Sequence, residues 1–405
     1  MLSVEEAHAR LIAGLNPLAP ETVPLIEATG RVLRADVVAR RTQPAVAVSA
    51  MDGYAVRAAD LADPPMVLDV IAAIPAGTAP PPQPIRAGQA ARIFTGAALP
   101  DGADAIVVQE DCRTLDGGRR VDVSVTAEPG RHMRRAGLDF SAGDTLIPAG
   151  RVLDPAAIAL AAAAGVPALS VTKRPAVAVL ATGSELLRPE DVAGGTYGPH
   201  RTVASSLYGL LSALTVWGAA PRDAGIIPDD PDATRAALQA SATADLVITL
   251  GGASVGDHDL VRDAVSAAGG QLDFWRIAMR PGKPLMVGTV GAAPFIGLPG
   301  NPVSAMVCAT LFVRAAVDRL GGMEGHLPPL EDAIAGAAIS ANGPRQDYMR
   351  ASFMPHHAHG TVVVPAPVQD SSMLRPLAQA NVLLVRPPHA PETPVGAPCK
   401  ILRLR

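Results

Sequence analysis

The chain has 405 residues, 49% of them hydrophobic but only 3% aromatic, with 38 glycines and 39 prolines. An apolar fraction this high excludes a disordered protein, and Gly without a three-residue period excludes a collagen-like one. With 34 basic against 38 acidic residues, a formal charge of −4 and no like-charge tail, the composition also lacks the footprint of a nucleic-acid binder. The first predicted element is a helix from Val4 to Leu15, with Ser3 as N-cap and Glu6 placed to close a capping box. An extended, Pro-punctuated stretch follows. From Thr42 to about Arg134 short strand-like runs (Met66–Ile71, Ala91–Phe94, Ala105–Glu110, Val121–Val125) alternate with Gly/Pro turns, as in an all-β insert. Asp154–Ala164 reads as a helix with Asp154 as N-cap and Pro155 at its first turn.

From Lys173 compact apolar runs (Ala176–Leu180, Arg222–Ile227, Asp245–Leu250, Leu285–Val287, Pro294–Ile296) alternate with helical stretches (Val203–Leu214, Pro231–Ala242, Asp259–Ala268, Pro302–Leu320). Near-continuous apolar strands between helices predict a doubly wound α/β sheet covered on both faces. Beyond about residue 326 short strands return, with a hairpin expected between Tyr348–Met354 and Thr361–Val364. The expected organisation is therefore a discontinuous helical and extended domain (1–41 plus 135–172), a β-rich insert (42–134), an α/β domain (173–325) and a C-terminal β domain (326–405). Cys112, Cys308 and Cys399 form neither a CxxC pair nor an even framework, so a reducing compartment is expected. The acidic N-terminus is unlike a secretory signal, and the Ala-rich run 155–171 is too weakly apolar to span a bilayer. A cytoplasmic protein without nucleic-acid or membrane partners is expected.

Ligands of open α/β sheets sit beyond the carboxyl ends of the strands. Four such ends lead into unusual loops: 181–186 (ATGSEL), 228–231 (PDDP), 251–259 (GGASVGDHD) and 297–302 (GLPGNP). Gly251, Gly252, Ser254, Pro299, Gly300, Asn301 and Pro302 supply bare backbone, a hydroxyl and a helix start, with Asn301 expected as N-cap and Pro302 as the first helical residue, which suit phosphate. Glu185, Asp229, Asp230, Asp257 and Asp259 would repel an anion unless a hard divalent cation such as Mg²⁺ bridges the two. Asp230 is expected to cap the following helix. Arg276, Arg280 and Lys283, around one Pro-Gly turn, are candidate oxyanion clamps. A second cluster comprises Asp52 in SAMDGYAV (49–56), Thr95 in FTGA (94–97) and Asp139 in GLDF (137–140). His356, His357 and His359 read as a solvated hairpin tip, and Trp217 and Trp275 as packing residues.

These segments, together with GIIPDDP (225–231), RPGKP (280–284), GLPGNPVSA (297–305) and MLRPLAQANVLLV (373–385), occur in the order found in one family. The chain resembles the molybdopterin molybdenumtransferases of the bacterial MoeA and gephyrin E-domain type. The resemblance implies an elongated homodimer of four-domain subunits around a molybdopterin-binding α/β domain, with a β-barrel-like C-terminal domain. It implies insertion of molybdate into adenylylated molybdopterin with Mg²⁺ and release of AMP, in a cleft between the α/β domain of one subunit and the β insert of the other. It implies functional positions at Asp52, Thr95, Asp139, Glu185, Asp229 and Asp259, with Glu185, Asp229 and Asp259 as metal ligands and Pro299 and Pro302 on the pterin side. A molybdopterin adenylyltransferase is the implied upstream partner, and apo-molybdoenzymes or their chaperones are candidate recipients. Two departures stand out: arginines at 276 and 280 where relatives often carry lysine, and Tyr197-Gly198-Pro199-His200 in place of a Tyr-Asp-Ser-Asn-like stretch. Two other readings remain open, a molybdopterin adenylyltransferase and a non-catalytic scaffold that kept the fold.

Overall fold

The computed structural model describes residues 1–195, 197–252, 260–358 and 360–404. The chain divides into two units, Met1–Glu21 with Gly30–Val32 and Val171–Arg405 in one, and Thr22–Thr29 with Leu33–Ser170 in the other.

The larger unit is built on a six-stranded sheet in the order Ala220–Ile227, Ala176–Thr182, Leu246–Leu250, Ala293–Leu298, Pro284–Val290, Gln271–Arg276. The first four strands are parallel, and the last two continue antiparallel. Side chains alternate between the two faces. Val177, Val179, Ala181, Leu246 and Ile248 pack with Leu207, Leu210 and Leu214 of the helix Ser205–Val216 and with the 302–320 helical run. Leu180, Val247 and Phe295 pack on the other face with Leu238 of Pro231–Ser241 and with Val261, Ala264 and Val265 of Leu260–Ala267. Each such leucine contributes about 1.5–3 kcal/mol on burial. The expected helix over 302–320 forms as Pro302–Cys308, a π-helical turn Ala309–Val313, and Arg314–Leu320. The Gln271–Arg276 strand has no counterpart in the sequence reading; alternating polar and apolar residues at a sheet edge carry a weak signal.

The N-terminal helix runs Val4–Ala13 with the expected Ser3/Glu6 capping box. Its buried face (Val4, Ala7, Leu11) joins the same core as the 314–320 helix. It therefore packs in the α/β unit, whereas Val37–Val38, expected to share its domain, pairs with Thr145–Ile147 in the smaller unit. The C-terminal strands form a second sheet, Met279–Arg280, Gln346–His356, Val382–Arg386, Pro398–Arg403, Leu330–Ile334. Gly360–Pro365 pairs antiparallel with 346–356, giving the expected hairpin. A bridge from Ala335 to Val363 curls this sheet toward closure, the barrel-like form expected.

In the smaller unit the insert is a six-stranded sheet ordered Ala105–Val108, Gly53–Val56, Gln89–Ile93, Met66–Ile74, Arg120–Val123, Cys112–Leu115. The helix Pro155–Ala163 starts under Asp154, which accepts from the Ala157 N–H at 2.7 Å. Cys112, Cys308 and Cys399 are free thiols. Among the described residues no helix is long and apolar enough to cross a membrane.

Candidate functional site

The strand order places a switch point between 176–182 and 246–250, because the chain leaves the first toward 220–227 and the second toward 293–298. A cavity of about 1010 Å³ opens there. All four loops singled out in the sequence reach it: Gly183 and Glu185, Asp229, Gly251 and Gly252, and Pro299 to Pro302. Ser254 and Asp259, with Asp257 beside them, lie outside the described residues.

The first two loops are laced together reciprocally. The Ser184 N–H donates to Asp229 Oδ2 and the Asp229 N–H donates to Ser184 Oγ, both at 2.9 Å. The Gly183 N–H reaches the Ile227 carbonyl at 3.0 Å, so the two strand ends stay in register. Glu185 folds its carboxylate over Gly183, where a Cβ would come within 2.6 Å of Oε2. A side chain at 183 would therefore displace the Glu185 carboxylate from this position. Asp230, beside Asp229 in the chain, accepts from the Ala233 N–H at 2.7 Å and caps the 231–241 helix as expected.

The fourth loop departs from its expected detail. Asn301 stands at the N-cap position of 302–308, but its side chain makes no cap hydrogen bond. Its amide donates instead to Ser371 Oγ at 3.1 Å, and the Val303 N–H donates to the Ser371 carbonyl at 3.1 Å. The helix start is thus partly satisfied by Ser371, and the segment 370–374 also brings Ser372 and Leu374 into the cavity wall. That segment is held from behind by Arg350, whose Nη2 donates to the carbonyls of Val368 and Asp370 at 3.3 and 3.0 Å. Arg350 is fully buried, and its Nε and Nη1 have no hydrogen-bond partner among the described residues. Burial lowers its pKa. A buried guanidinium with donors left over is a functional candidate that sequence reasoning missed.

None of the three cations of the Pro-Gly turn lines this cavity; Pro284 alone represents that turn. Arg280 grips the buried Asp347, Nε to Oδ1 at 3.1 Å and Nη2 to Oδ2, and lines a separate space of about 520 Å³ against the C-terminal strands. The planar fork explains arginine at this position, since a lysine cannot make the two-point contact. The Arg276 guanidinium stands over the neighbouring Trp275 ring, 3.6 Å from its centroid. Lys283 is half-buried and forms no ion pair with another described residue. Instead, Tyr197, from the departing 197–200 stretch, enters the wall together with Arg201, Ser205 and Ser206, three residues that carry no motif signal in the sequence. Tyr348 is buried, its hydroxyl accepting from Gln346 Nε2 at 2.8 Å, and belongs to the core.

In the smaller unit Asp52 Oδ1 accepts from both the N–H and the hydroxyl of Thr95, each at 2.7 Å. Those two bonds, the backbone one first, hold the Asp52 carboxyl below its ordinary value. Asp139 lines a cavity of about 510 Å³ with Gly96, Arg41 and Arg134. Exposed Met51, Phe94, Val46 and Leu138 lie in the same loops. His356 and His357 sit at the end of the 346–356 strand and His359 lies outside the described residues; no group of three metal-ligating side chains is found among the described residues.

Comparison with known proteins agrees with this architecture along the chain. Residues 2–165 match the MoeA N-terminal region (domain I and II), 178–319 the probable molybdopterin binding domain, and 332–404 the MoeA C-terminal region (domain IV). The chain is 40% identical over 415 residues to molybdopterin molybdenumtransferase 2 of Mycobacterium tuberculosis, covering 99% of each. It is 37% identical over 383 residues to molybdopterin molybdenumtransferase of Nostoc sp., covering 91% of this chain and 85% of the relative. A molybdopterin biosynthesis MoeA protein of Pyrococcus horikoshii superposes with a TM-score of 0.80 at 26% identity, over 100% of this chain and 99% of that one. The chain belongs to the molybdopterin molybdenumtransferase family.

Proposed function

We propose that the protein is a molybdenum insertase that transfers molybdate into adenylylated molybdopterin and releases AMP. The observation that carries this reading is the convergence of four Gly/Pro-rich loops, with the carboxylates of Glu185 and Asp229, on one cavity at the sheet's switch point. Full-length relatedness to named molybdenumtransferases supports it.

The donor set fits a hard divalent cation. The Glu185 carboxylate has no hydrogen-bond partner among the described residues, and Asp229 keeps Oδ1 available after Oδ2 accepts from Ser184. No His or Cys lines the cavity among the described residues. Oxygen-only ligands in small number suit Mg²⁺, which keeps several waters and shares its sphere with phosphates. Glu185 and Asp229 would hold it, with Asp259 as the further ligand the family resemblance implies. When bound, Mg²⁺ would neutralise phosphate oxygens and so allow a phosphoanhydride to sit beside carboxylates.

Backbone at 251–252 and 299–302 lets phosphate and pterin approach closely. The Ser184–Asp229 lacing fixes where the two carboxylates stand before substrate arrives, which is where preorganisation helps most. Lys283 does not itself line the cavity, but it precedes the wall residue Pro284 and is the cation of its turn that would meet molybdate at the rim, since Arg280 is engaged by Asp347. No protein nucleophile is needed. In the proposed homodimer Asp52, Thr95 and Asp139 of one subunit complete the cavity of the other; the exposed apolar side chains around them are consistent with a covered face. A cytoplasmic location, with an adenylyltransferase upstream and apo-molybdoenzymes or their chaperones downstream, follows from this role.

The test is incubation with adenylylated molybdopterin, Mg²⁺ and molybdate. AMP release that needs both ions is expected. Binding without release would mark a scaffold, and ATP-dependent adenylylation of molybdopterin would mark the other enzyme; either overturns the proposal.

A further inference from the structure

Segment 188–201 is flanked by two short strands, Leu186–Leu187 and Thr202–Val203, which pair in parallel, Leu186 with Thr202 and Leu187 with Val203. Its outgoing end is tied by Arg188, whose guanidinium meets Asp223 at 2.8 Å. Its returning end is tied by Arg201. There Nε donates to the Glu185 carbonyl and Nη2 to the Leu186 carbonyl, each at 3.1 Å. The Thr202 N–H adds a second bond to the Glu185 carbonyl at 2.9 Å.

A guanidinium has five N–H groups in a rigid plane. These backbone contacts engage Nε and one proton of Nη2, and Nη1 has no protein acceptor among the described residues. Arg201 also lines the 1010 Å³ cavity, where it is the one cationic side chain among the described residues and shares the wall with Glu185 and Asp229. A wall with more carboxylate than cation repels a phosphate. A guanidinium already fixed in place offers it planar donors at little further entropic cost.

We propose that Arg201 is the phosphate anchor of this cavity. Pinned to the backbone at Glu185 and Leu186, it presents Nη1 to a phosphate oxygen of the nucleotide half of the adenylylated pterin. It thereby sets that phosphate against Glu185. The inference rests on the transferase reading given above. Because one hydrogen-bonded unit carries both groups, the phosphate and the carboxylate are positioned together.

The experiment uses the full-length protein and AMP as probe, with binding followed by calorimetry and turnover by AMP release. Arg201→Ala should weaken AMP binding and raise KM for the adenylylated pterin about 10- to 100-fold, the range for a lost charge-assisted hydrogen bond, with kcat changing less. Arg201→Lys should recover part of the loss, since charge returns without the fork. Added salt should weaken AMP binding to the wild type more than to Arg201→Ala. Wild-type AMP affinity in Arg201→Ala, or a fall confined to kcat and the thermal midpoint, overturns the anchor. Loss of AMP affinity in Arg201→Ala beside a wild type that releases no AMP would leave the anchor standing and overturn the transferase reading.

Discussion

Asp229 and Asp230 are adjacent in the chain and have separate tasks. Asp229 accepts from Ser184 and faces the cavity, while Asp230 caps a helix. Asp230→Ala should cost about 1 kcal/mol of stability, read as a lower denaturant midpoint, with AMP release kept. Asp229→Ala should reduce AMP release about 100-fold or more at little cost in stability, since it removes several kcal/mol of charge stabilisation. The division was legible beforehand, because in Pro228-Asp229-Asp230-Pro231 only the second aspartate precedes a proline at the first helical position. Arg201 was not legible. It acts through backbone carbonyls sixteen residues upstream at Glu185 and fifteen at Leu186, a pairing set by the small parallel ladder rather than by any local pattern.

Thr95 governs the charge of Asp52 in the same direct way. The Asp52 value lies below the ordinary 3.8, first through the Thr95 N–H and then through its hydroxyl. A group lowered in the folded state contributes stability that is complete above its unfolded value and is lost as pH falls through the folded one. Thr95→Val keeps the N–H and removes the hydroxyl, so the Asp52 pKa should rise toward the ordinary value. The acid limb of the pH–rate profile should then move to higher pH, with the alkaline limb unchanged. An acid limb that stays in place would show that Asp52 does not govern it.

At the scale of elements, the turn before Pro284 shows how packing and function share residues. Gly282 has φ +106° and a Cβ there would stand 2.4 Å from Cys308 Sγ on the 302–308 helix. Gly282→Ala should cost about 1–3 kcal/mol through backbone strain plus this overlap. Adding Cys308→Ala should relieve the overlap but leave the strain, so the double variant should be more stable than the sum of the singles. Strict additivity in denaturant unfolding would contradict the packing described. Helices carrying a cap and a proline were legible nearly to the residue, as at 155–163 and 231–241. The edge strands Cys112–Leu115 and Gln271–Arg276 were not, because exposed positions release them from apolar alternation. The capping role expected of Asn301 failed for a tertiary reason, since Ser371 takes its amide from a distant segment.

At the scale of the whole molecule, the two carboxylate sets fall in different units of the chain. If the sets complete each other across a homodimer, Asp52→Ala and Glu185→Ala are each inactive alone yet complement when mixed. Random reassociation gives half heterodimers with one intact site each, so about a quarter of wild-type activity should return. No recovery in a mixture shown to exchange subunits would place both sets in a site within one subunit. The order of the family segments was legible in full, whereas the grouping of the N-terminal helix was not. Its apolar stripe fits any core, and only the fold shows that it packs with the 314–320 helix.

The central claim, that the cavity bearing Glu185 and Asp229 inserts molybdenum, is tested most directly by counting molybdenum incorporated per AMP released. Wild-type protein should give one of each per turnover, and Glu185→Ala should give neither while keeping the wild-type unfolding midpoint. AMP release without molybdenum incorporation, or wild-type turnover by Glu185→Ala, would contradict it.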